Sequence, residues 1–203
     1  RITILYVGHL SIAKGWRDLL LSLRSLTARW PGLRLLAMGA PIATERNVRL
    51  PVPRRISALG PEEPGISELQ EVCQPWLTLM GGDVAGSRKA SAFAEADILV
   101  LPSYSEGLSV AILEAMHAGL PVVTTAVGAS PEVVEHGRGG YVVPPGRPDL
   151  LADAIERLLA DPAARRAMGA FNRALAQDRL GETAILERYA QLFEQALVTN
   201  HAS

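Results

Sequence analysis

The chain has 203 residues and is 48% hydrophobic, which is enough apolar material for one large domain or two small ones. Its formal net charge of -1 gives no overall attraction to nucleic acid or to an anionic membrane. The single cysteine, Cys73, excludes an internal disulfide framework, and the lack of any run of about 18 apolar residues predicts no transmembrane helix.

The amino-terminal residues, RITILYVGHL, lack the charged, apolar and small-residue regions of a signal peptide. Together with the single cysteine, this pattern predicts a cytoplasmic protein. The chain has no initiator methionine and begins directly in a strand-like run. These features indicate a piece of a longer polypeptide.

Short apolar runs alternate with helical patterns along the chain. In chain order we predict a strand over 2–7, a helix over 16–30, a strand over 33–39, a helix over 66–73, a strand over 76–81, a helix over 87–96, a strand over 97–102, a helix over 108–118, a strand over 120–125, a short helix over 131–136, a strand over 140–144, and helices over 148–160, 162–178 and 182–197. Residues 40–64, rich in Pro and Arg, receive no assignment.

The predicted strands are continuous apolar runs, which is typical of parallel strands buried on both faces. Strands that alternate with helices predict an α/β fold with a doubly wound, Rossmann-like parallel sheet of about six strands and helices at the carboxyl end. Ligands of such sheets bind beyond the carboxyl ends of the strands. The loops to consider are therefore 8–15, 40–64, 81–86, 103–108 and 126–130.

The stretch SYSEGLSVAILEAM follows a predicted strand and opens a helix. The backbone N–H groups of Gly107, Leu108 and Ser109 would be free there, and free N–H groups at a helix start attract an anion such as a phosphate. Glu106 and Glu114 would flank this cradle, where carboxylates can accept hydrogen bonds from a polyhydroxylated ligand. The alternative is that Glu106 only complements the helix dipole and Glu114 is solvated.

Glu114 lies inside an otherwise apolar segment. At 100° per residue its neighbours on the helix face are Val110, Ala111, His117 and Ala118, and this face looks buried. A buried carboxylate without a partner is costly, so the pattern predicts one.

The stretch VGHLSIAKG follows the first predicted strand. Gly8 allows a tight turn, and Lys14 could reach an anion over the same sheet edge. The loop has neither the P-loop pattern nor the dinucleotide fingerprint. Lys14 could also be an ordinary surface lysine, and His9 could donate to a phosphate or simply end the strand.

Two further loops have capping explanations. The glycines of MGGDVAGSRKASAF permit close contact with a flat ring, or form an ordinary turn with Ser87 as the N-cap. In TAVGASPEVVEHG, Ser130 is predicted as the N-cap with Pro131 at the first helical position. The arginines of ERNVRLPVPRRIS are interpreted as a solvated loop, with a membrane or acceptor contact as the alternative.

Several catalytic and metal-binding motifs are absent from the sequence. It has no Asp-x-Asp, no His/Cys cluster and no Gly-x-Ser-x-Gly, which argues against the obvious divalent-metal, zinc and serine-hydrolase sites. His117 and His136 have no companions at metal-ligand spacing, so we interpret both as structural.

Taken together, these stretches resemble the C-terminal, donor-binding half of retaining glycosyltransferases of family GT4, which have the GT-B fold. The resemblance rests on VGHLSIAKG, GGDVAGSRKASAFAEADILVLPS, the E-x7-E stretch EGLSVAILEAMHAGLPVV, and VGASPEVVEHGRGGYVVPPG. It covers about residues 2–195. It implies that residues 1–203 form a C-terminal nucleotide-sugar-binding domain and that the N-terminal acceptor domain is absent from this chain.

The family resemblance implies roles at the matching positions. Glu114 would accept hydrogen bonds from the ribose hydroxyls of the donor nucleotide, and Glu106 would contact the transferred sugar. Lys14 would neutralise the diphosphate as it leaves, which makes Glu106 and Lys14 the candidate catalytic pair. The backbone of residues 107–109 would hold the sugar and the diphosphate.

The loop of Gly82, Asp83 and Val84 would approach the base of the nucleotide. His9 stands where the family commonly has Arg, and an imidazole is neutral near pH 7 unless its pKa is raised. We therefore expect weaker or pH-dependent diphosphate binding at this position.

The resemblance implies a UDP- or GDP-sugar as the donor substrate and no metal, because protein cations and helix dipoles stabilise the leaving nucleotide in such enzymes. The acceptor would be a glycan, a lipid or another molecule, with peripheral membrane contact of the full-length enzyme. Since the acceptor is held largely by the other half, this chain is expected to bind the donor without transferring sugar. The alternatives are a nucleotide-sugar-binding regulatory module, or another GT-B enzyme such as an epimerase or a phosphorylase.

Overall fold

The computed structural model describes residues 1–40, 66–81 and 86–179. Within them lie strands β1 (Ile2–Val7), β2 (Leu33–Met38), β3 (Leu77–Met80), β4 (Ile98–Leu101), β5 (Val122–Thr125) and β6 (Gly140–Val143), and helices α1 (Trp16–Thr27), α2 (Ile66–Cys73), α3 (Ser87–Glu95), α4 (Val110–Ala118), α5 (Ser130–Val133), α6 (Pro148–Ala160) and α7 (Pro162–Arg179). The uncertain stretch 40–64, beyond its first residue, and the predicted helix 182–197 lie outside the described residues.

The strands form one parallel sheet in the order β3-β2-β1-β4-β5-β6. β1 and β2 pair over their full lengths, from Ile2 opposite Leu33 to Val7 opposite Met38. β2 and β3 are added in turn on one side of β1. The chain then crosses to the other side of β1, where β4, β5 and β6 are added in turn. The order reverses between β1 and β4, which is the place where ligands bind in such sheets. The predicted α/β class, strand number and parallel arrangement are confirmed.

The central strands are buried on both faces, as their continuous apolar runs predict. Ile4 and Leu5 of β1 and Ile98, Leu99 and Val100 of β4 are fully buried. The apolar positions of α1 recur at spacings of three and four residues, so that one face of the helix packs on the sheet. These fully buried positions are Trp16, Leu19, Leu20, Leu23 and Leu26.

The helices form two layers. α1 packs against α2 and α6, whereas α4 packs against α3 and α7. The second layer matters for the site, because the amino-terminal ends of α3 and α4 both lie at the carboxyl edge of the sheet.

Some predicted boundaries are wrong because the caps differ from the sequence pattern. α4 begins at Val110 instead of residue 108, with Ser109 as an extended N-cap residue. Ser130 is not the N-cap of α5: Ala129 is, and the buried Ser130 hydroxyl has no hydrogen-bond partner among the described residues. Ser87 is likewise the first helical residue of α3, preceded by Gly86 in a positive-φ conformation that makes no side-chain cap.

Candidate functional site

The loops that follow β1 and β4 meet where the strand order reverses. The backbone N–H of Tyr104 donates to the carbonyl of Ala13 over 2.9 Å. Gly15 has a φ of +67°, and a Cβ there would lie 1.9 Å from the carbonyl oxygen of Pro102. Only glycine permits this approach, which brings the Lys14 loop against the segment that leads to Glu106.

Lys14 and Glu106 form an ion pair across this junction. Lys14 Nζ lies 2.6 Å from Glu106 Oε1, and the Ser103 hydroxyl donates to the same oxygen over 3.1 Å. The two charged side chains are 30% and 16% exposed. The structure therefore brings together the two residues that the sequence singled out 92 positions apart, at the carboxyl edge of the sheet.

The backbone after Glu106 is presented to solvent. Gly107 and Leu108 are exposed, and no described residue accepts a hydrogen bond from the N–H groups of Gly107, Leu108 or Ser109. The loop after β5 supports this segment from behind, since Ala129 N–H donates to the Gly107 carbonyl over 2.8 Å. Available amides at the entrance to α4 can bind an anion.

Glu114 has a protein partner that the sequence did not identify. Lys89 Nζ on α3 lies 2.5 Å from Glu114 Oε1, and the side chains are 29% and 33% exposed. The other oxygen, Oε2, is buried and has no hydrogen-bond partner among the described residues.

The prediction that Glu114 lies on a buried helix face is wrong in part. Ala111 is buried on this face and Ala118 is half-buried, whereas Val110 is 64% exposed and His117 is exposed. The reason is that α4 packs through Ile112, Ala115 and Met116, so that Glu114 lies at the border of the buried surface.

A cavity of about 970 Å³ lies between α3, α4 and α7. Lys89 and Glu114 line it together with Phe93, His117 and Arg173. The ion pair thus borders an open space large enough for a small molecule.

The remaining predicted donor-binding residues are placed differently. His9 is exposed on the loop after β1, and its carbonyl accepts hydrogen bonds from the Tyr6 hydroxyl at 2.6 Å and from Ser11 N–H at 2.9 Å. Gly82, Asp83 and Val84 lie outside the described residues.

A buried polar pair underlies the junction and was missed by the sequence analysis. The Tyr104 hydroxyl donates to Asp18 Oδ2 over 2.5 Å, and both residues are buried. Burial, and then the hydrogen bond to Asp18, raise the pKa of Tyr104 well above its usual value, so that the phenol stays protonated. The pair joins α1 to the loop that carries Glu106.

Lys89 is the other residue that the sequence pattern did not predict. The rarity of lysine in this chain could have drawn attention to it. Of the 20 Lys and Arg residues, only Lys14 and Lys89 are lysines. Each of them pairs with one carboxylate of the E-x7-E stretch.

The family model described as Glycosyl transferases group 1 matches residues 1–161. The chain belongs to this family. The expected resemblance is thereby confirmed, and the sheet described above is one Rossmann-like half of a GT-B fold.

Curated relatives of this group 1 family member are considerably longer. The D-inositol 3-phosphate glycosyltransferase of Pseudarthrobacter chlorophenolicus is 32% identical over 168 residues, which are 82% of this chain and 36% of that protein. The sulfoquinovosyl transferase SQD2 of Arabidopsis thaliana is 30% identical over 118 residues, which are 57% of this chain and 23% of that protein. The chain therefore spans only part of the length of the relatives that it matches.

Solved structures with the same fold as this group 1 domain include chains about twice as long and one single domain. The sucrose-phosphate synthase of Thermosynechococcus elongatus superposes with a TM-score of 0.70 at 29% identity, over 98% of this chain and 46% of that one. Anabaena Alr3699/HepE in complex with UDP gives 0.77 at 21% identity, over 96% and 49%. The C-terminal domain of the group 1 family protein LpcC from Francisella tularensis gives 0.70 at 21% identity, over 89% of this chain and 87% of that one.

Two features are absent from the part of this group 1 domain that the structure describes. None of its helices is long and apolar enough to cross a membrane. Among the same residues, no group of three His, Cys, Asp or Glu side chains is arranged to hold a metal ion.

Proposed function

We propose that this chain is the donor-binding domain of a retaining glycosyltransferase and that it binds a nucleoside diphosphate sugar where the strand order reverses. The observation that carries the proposal is the meeting of Lys14 and Glu106 at 2.6 Å, directly before the available amides of residues 107–109. A cation and a row of N–H groups suit a diphosphate. Carboxylates beside them suit the hydroxyl groups of a sugar.

Lys14 is the residue that meets the leaving diphosphate in this proposal. Its ammonium neutralises Glu106, and the donor diphosphate takes over part of that contact when it binds. Glu106, held also by Ser103, is then left to accept hydrogen bonds from the transferred sugar. Since a lysine and a helix start stabilise the departing charge, the reaction needs no metal ion.

Glu114 binds the ribose of the donor, and the loop of Gly82, Asp83 and Val84 approaches the base. The proposed UDP- or GDP-sugar donor is supported by structural neighbours, since Alr3699/HepE has been solved with UDP and with UDP-glucose. Transfer of a hexosyl or other glycosyl group to a glycan or lipid acceptor belongs to the whole protein. We propose that it has an N-terminal acceptor domain, since the solved relatives are about twice as long as this chain.

Calorimetric titration of the chain with UDP, GDP, ADP and CMP, with and without EDTA, tests the proposal. One nucleoside diphosphate is expected to bind equally well in both buffers. Glu114→Ala removes hydrogen bonds to a charged acceptor, which should weaken binding by about 10- to 100-fold. Glu95→Ala, at an exposed position at the end of α3, is the matched control and should bind like the parent chain.

Absence of binding by all four nucleotides would overturn the proposal for this chain. Binding that EDTA abolishes would overturn the metal-independent part alone. An equal loss of nucleotide affinity in Glu114→Ala and Glu95→Ala would show that the effect of the Glu114 substitution is not specific to the site.

A further inference from the structure

Each of the two carboxylates of the E-x7-E stretch forms an ion pair with a lysine. Lys14 reaches Glu106 from the loop after β1, and Lys89 reaches Glu114 from the first turn of α3. No other lysine occurs in the chain, although arginines are frequent. The role proposed for Lys14 leaves Lys89 without an explanation.

Stability does not explain the Lys89–Glu114 pair. Both side chains are about one-third exposed, and ion pairs at such positions contribute little to the free energy of unfolding. α3 and α4 already pack through apolar residues, including the buried Phe93 and Ile112. The short Nζ–Oε1 distance of 2.5 Å is instead a constraint on where the carboxylate points.

The carboxylate of Glu114 has hydrogen-bond acceptor positions that Lys89 does not occupy. Oε2 is buried and accepts no hydrogen bond from the described residues, an arrangement that is costly in a protein on its own. A carboxylate has about four acceptor positions, so one ammonium does not use up its capacity. Glu114 also borders the 970 Å³ cavity. The carboxylate can therefore accept further hydrogen bonds where it borders the cavity.

We propose that Lys89 is a positioning residue for ribose recognition and acts through Glu114. It fixes the carboxylate so that ribose hydroxyl groups can donate to it, and it offsets the repulsion between this carboxylate and the donor diphosphate. The inference rests on the proposed function, because it needs a nucleotide at this site. It adds a second cation to the proposed donor site, at a position to which the family resemblance assigns no role.

The test compares UDP with 2′,3′-dideoxyuridine diphosphate, which lacks both ribose hydroxyl groups. For the parent chain the ratio of the two dissociation constants should be about 10- to 100-fold. Lys89→Met should reduce this ratio at least several-fold, and Glu114→Ala should bring it near one. The double variant should behave like Glu114→Ala, because Lys89 acts only through that residue.

Two variants control for charge and folding. Arg88→Met removes a positive charge from the neighbouring exposed position of α3 and should leave the ratio unchanged. Lys89→Arg restores the charge and should recover a ratio above that of Lys89→Met. Thermal unfolding of each variant separates a folding defect from a change in discrimination.

An equal loss of affinity for both nucleotides in Lys89→Met would overturn the inference, since Lys89 would then act as a general cation or a structural tie. Tighter UDP binding in that variant would also overturn it, because Lys89 would be blocking Glu114. If the parent chain binds neither UDP nor GDP, ADP or CMP, the proposed function fails and the inference falls with it.

Discussion

At the scale of single residues, charge at the site is balanced in pairs. Lys14 and Lys89 each have a carboxylate within 2.6 Å, and His9 is the remaining basic side chain on the loop after β1. An imidazole carries a full positive charge only in acid, whereas a guanidinium is always charged and binds phosphate through a planar fork. In our proposal, the residue at position 9 therefore contributes to the positive charge that this loop offers to the donor diphosphate.

His9→Arg should strengthen binding of the preferred nucleoside diphosphate at pH 7.5. The added charge lies at an exposed position, so we expect a gain of about three- to fivefold in affinity. Calorimetry measures the change. Gln74→Arg adds the same charge at an exposed position between α2 and β3, remote from the carboxyl edge, and should have no effect. Unchanged affinity in His9→Arg would show that position 9 does not face the diphosphate.

At the scale of elements, the site depends on how closely the loops after β1, β4 and β5 approach one another. Gly15 meets Pro102, and a Cβ on Gly128 would lie 2.1 Å from the carbonyl oxygen of Glu106. In both places the obstacle is backbone, which cannot rotate away as a side chain can. The relative position of Lys14 and Glu106 is therefore determined by contacts between main chains.

Gly15→Ala should destabilise the fold and disturb the site together. The positive φ and the contact with Pro102 should reduce the free energy of unfolding by about 2–4 kcal/mol. Gly137→Ala is the matched control, because Gly137 also has a positive φ, of +81°, but a Cβ there meets nothing within 4 Å. It should cost only about 1–2 kcal/mol. Urea unfolding measures both variants, and equal costs would contradict a tight contact at Gly15.

The elements themselves could be predicted from the sequence, because continuous apolar runs determine buried parallel strands and their order of appearance. The ends of the helices were harder. Ser130 and Ser87 look like N-caps, yet the backbone places each of them inside its helix. Local sequence patterns could not predict the partner of Glu114. Lys89 lies 25 positions away on another helix, and only the packing of the two helices brings them together.

At the scale of the whole molecule, α7 lies beyond the residues that the family model matches. It nevertheless helps to hold α4, the helix that carries Glu114, in place. It packs against α4, and the Asn172 amide donates to the carbonyls of Leu120 and Gly139, both over 2.7 Å. Arg173 donates to the Ala118 carbonyl at the end of α4 over 2.6 Å. The helix that carries Glu114 is thus held at both ends, by the loops around Glu106 and by α7.

The purified chain should bind its nucleotide without transferring sugar. The solved relatives are about twice its length, and in our proposal the acceptor is held by the part of the protein that is not in this chain. Incubation with UDP- or GDP-sugars and candidate acceptors, followed by product analysis, checks this expectation. In the full-length protein Glu106→Ala should abolish turnover. Robust transfer by residues 1–203 would contradict the proposal that transfer needs the acceptor domain, whereas full turnover in Glu106→Ala would contradict a catalytic role of Glu106.

The pairing of each lysine with a carboxylate also determines how a donor finds the site. The two pairs are neutral from a distance, and the chain has a formal net charge of -1. Beyond a Debye length of about 8 Å at physiological ionic strength, these two neutral pairs therefore contribute little attraction for an approaching diphosphate. In our proposal the ammonium of Lys14 becomes available only on contact, when the donor diphosphate takes over part of its pairing with Glu106. We therefore expect the proposed donor to reach these pairs by ordinary diffusion, and nucleotides to differ mainly in how slowly they dissociate.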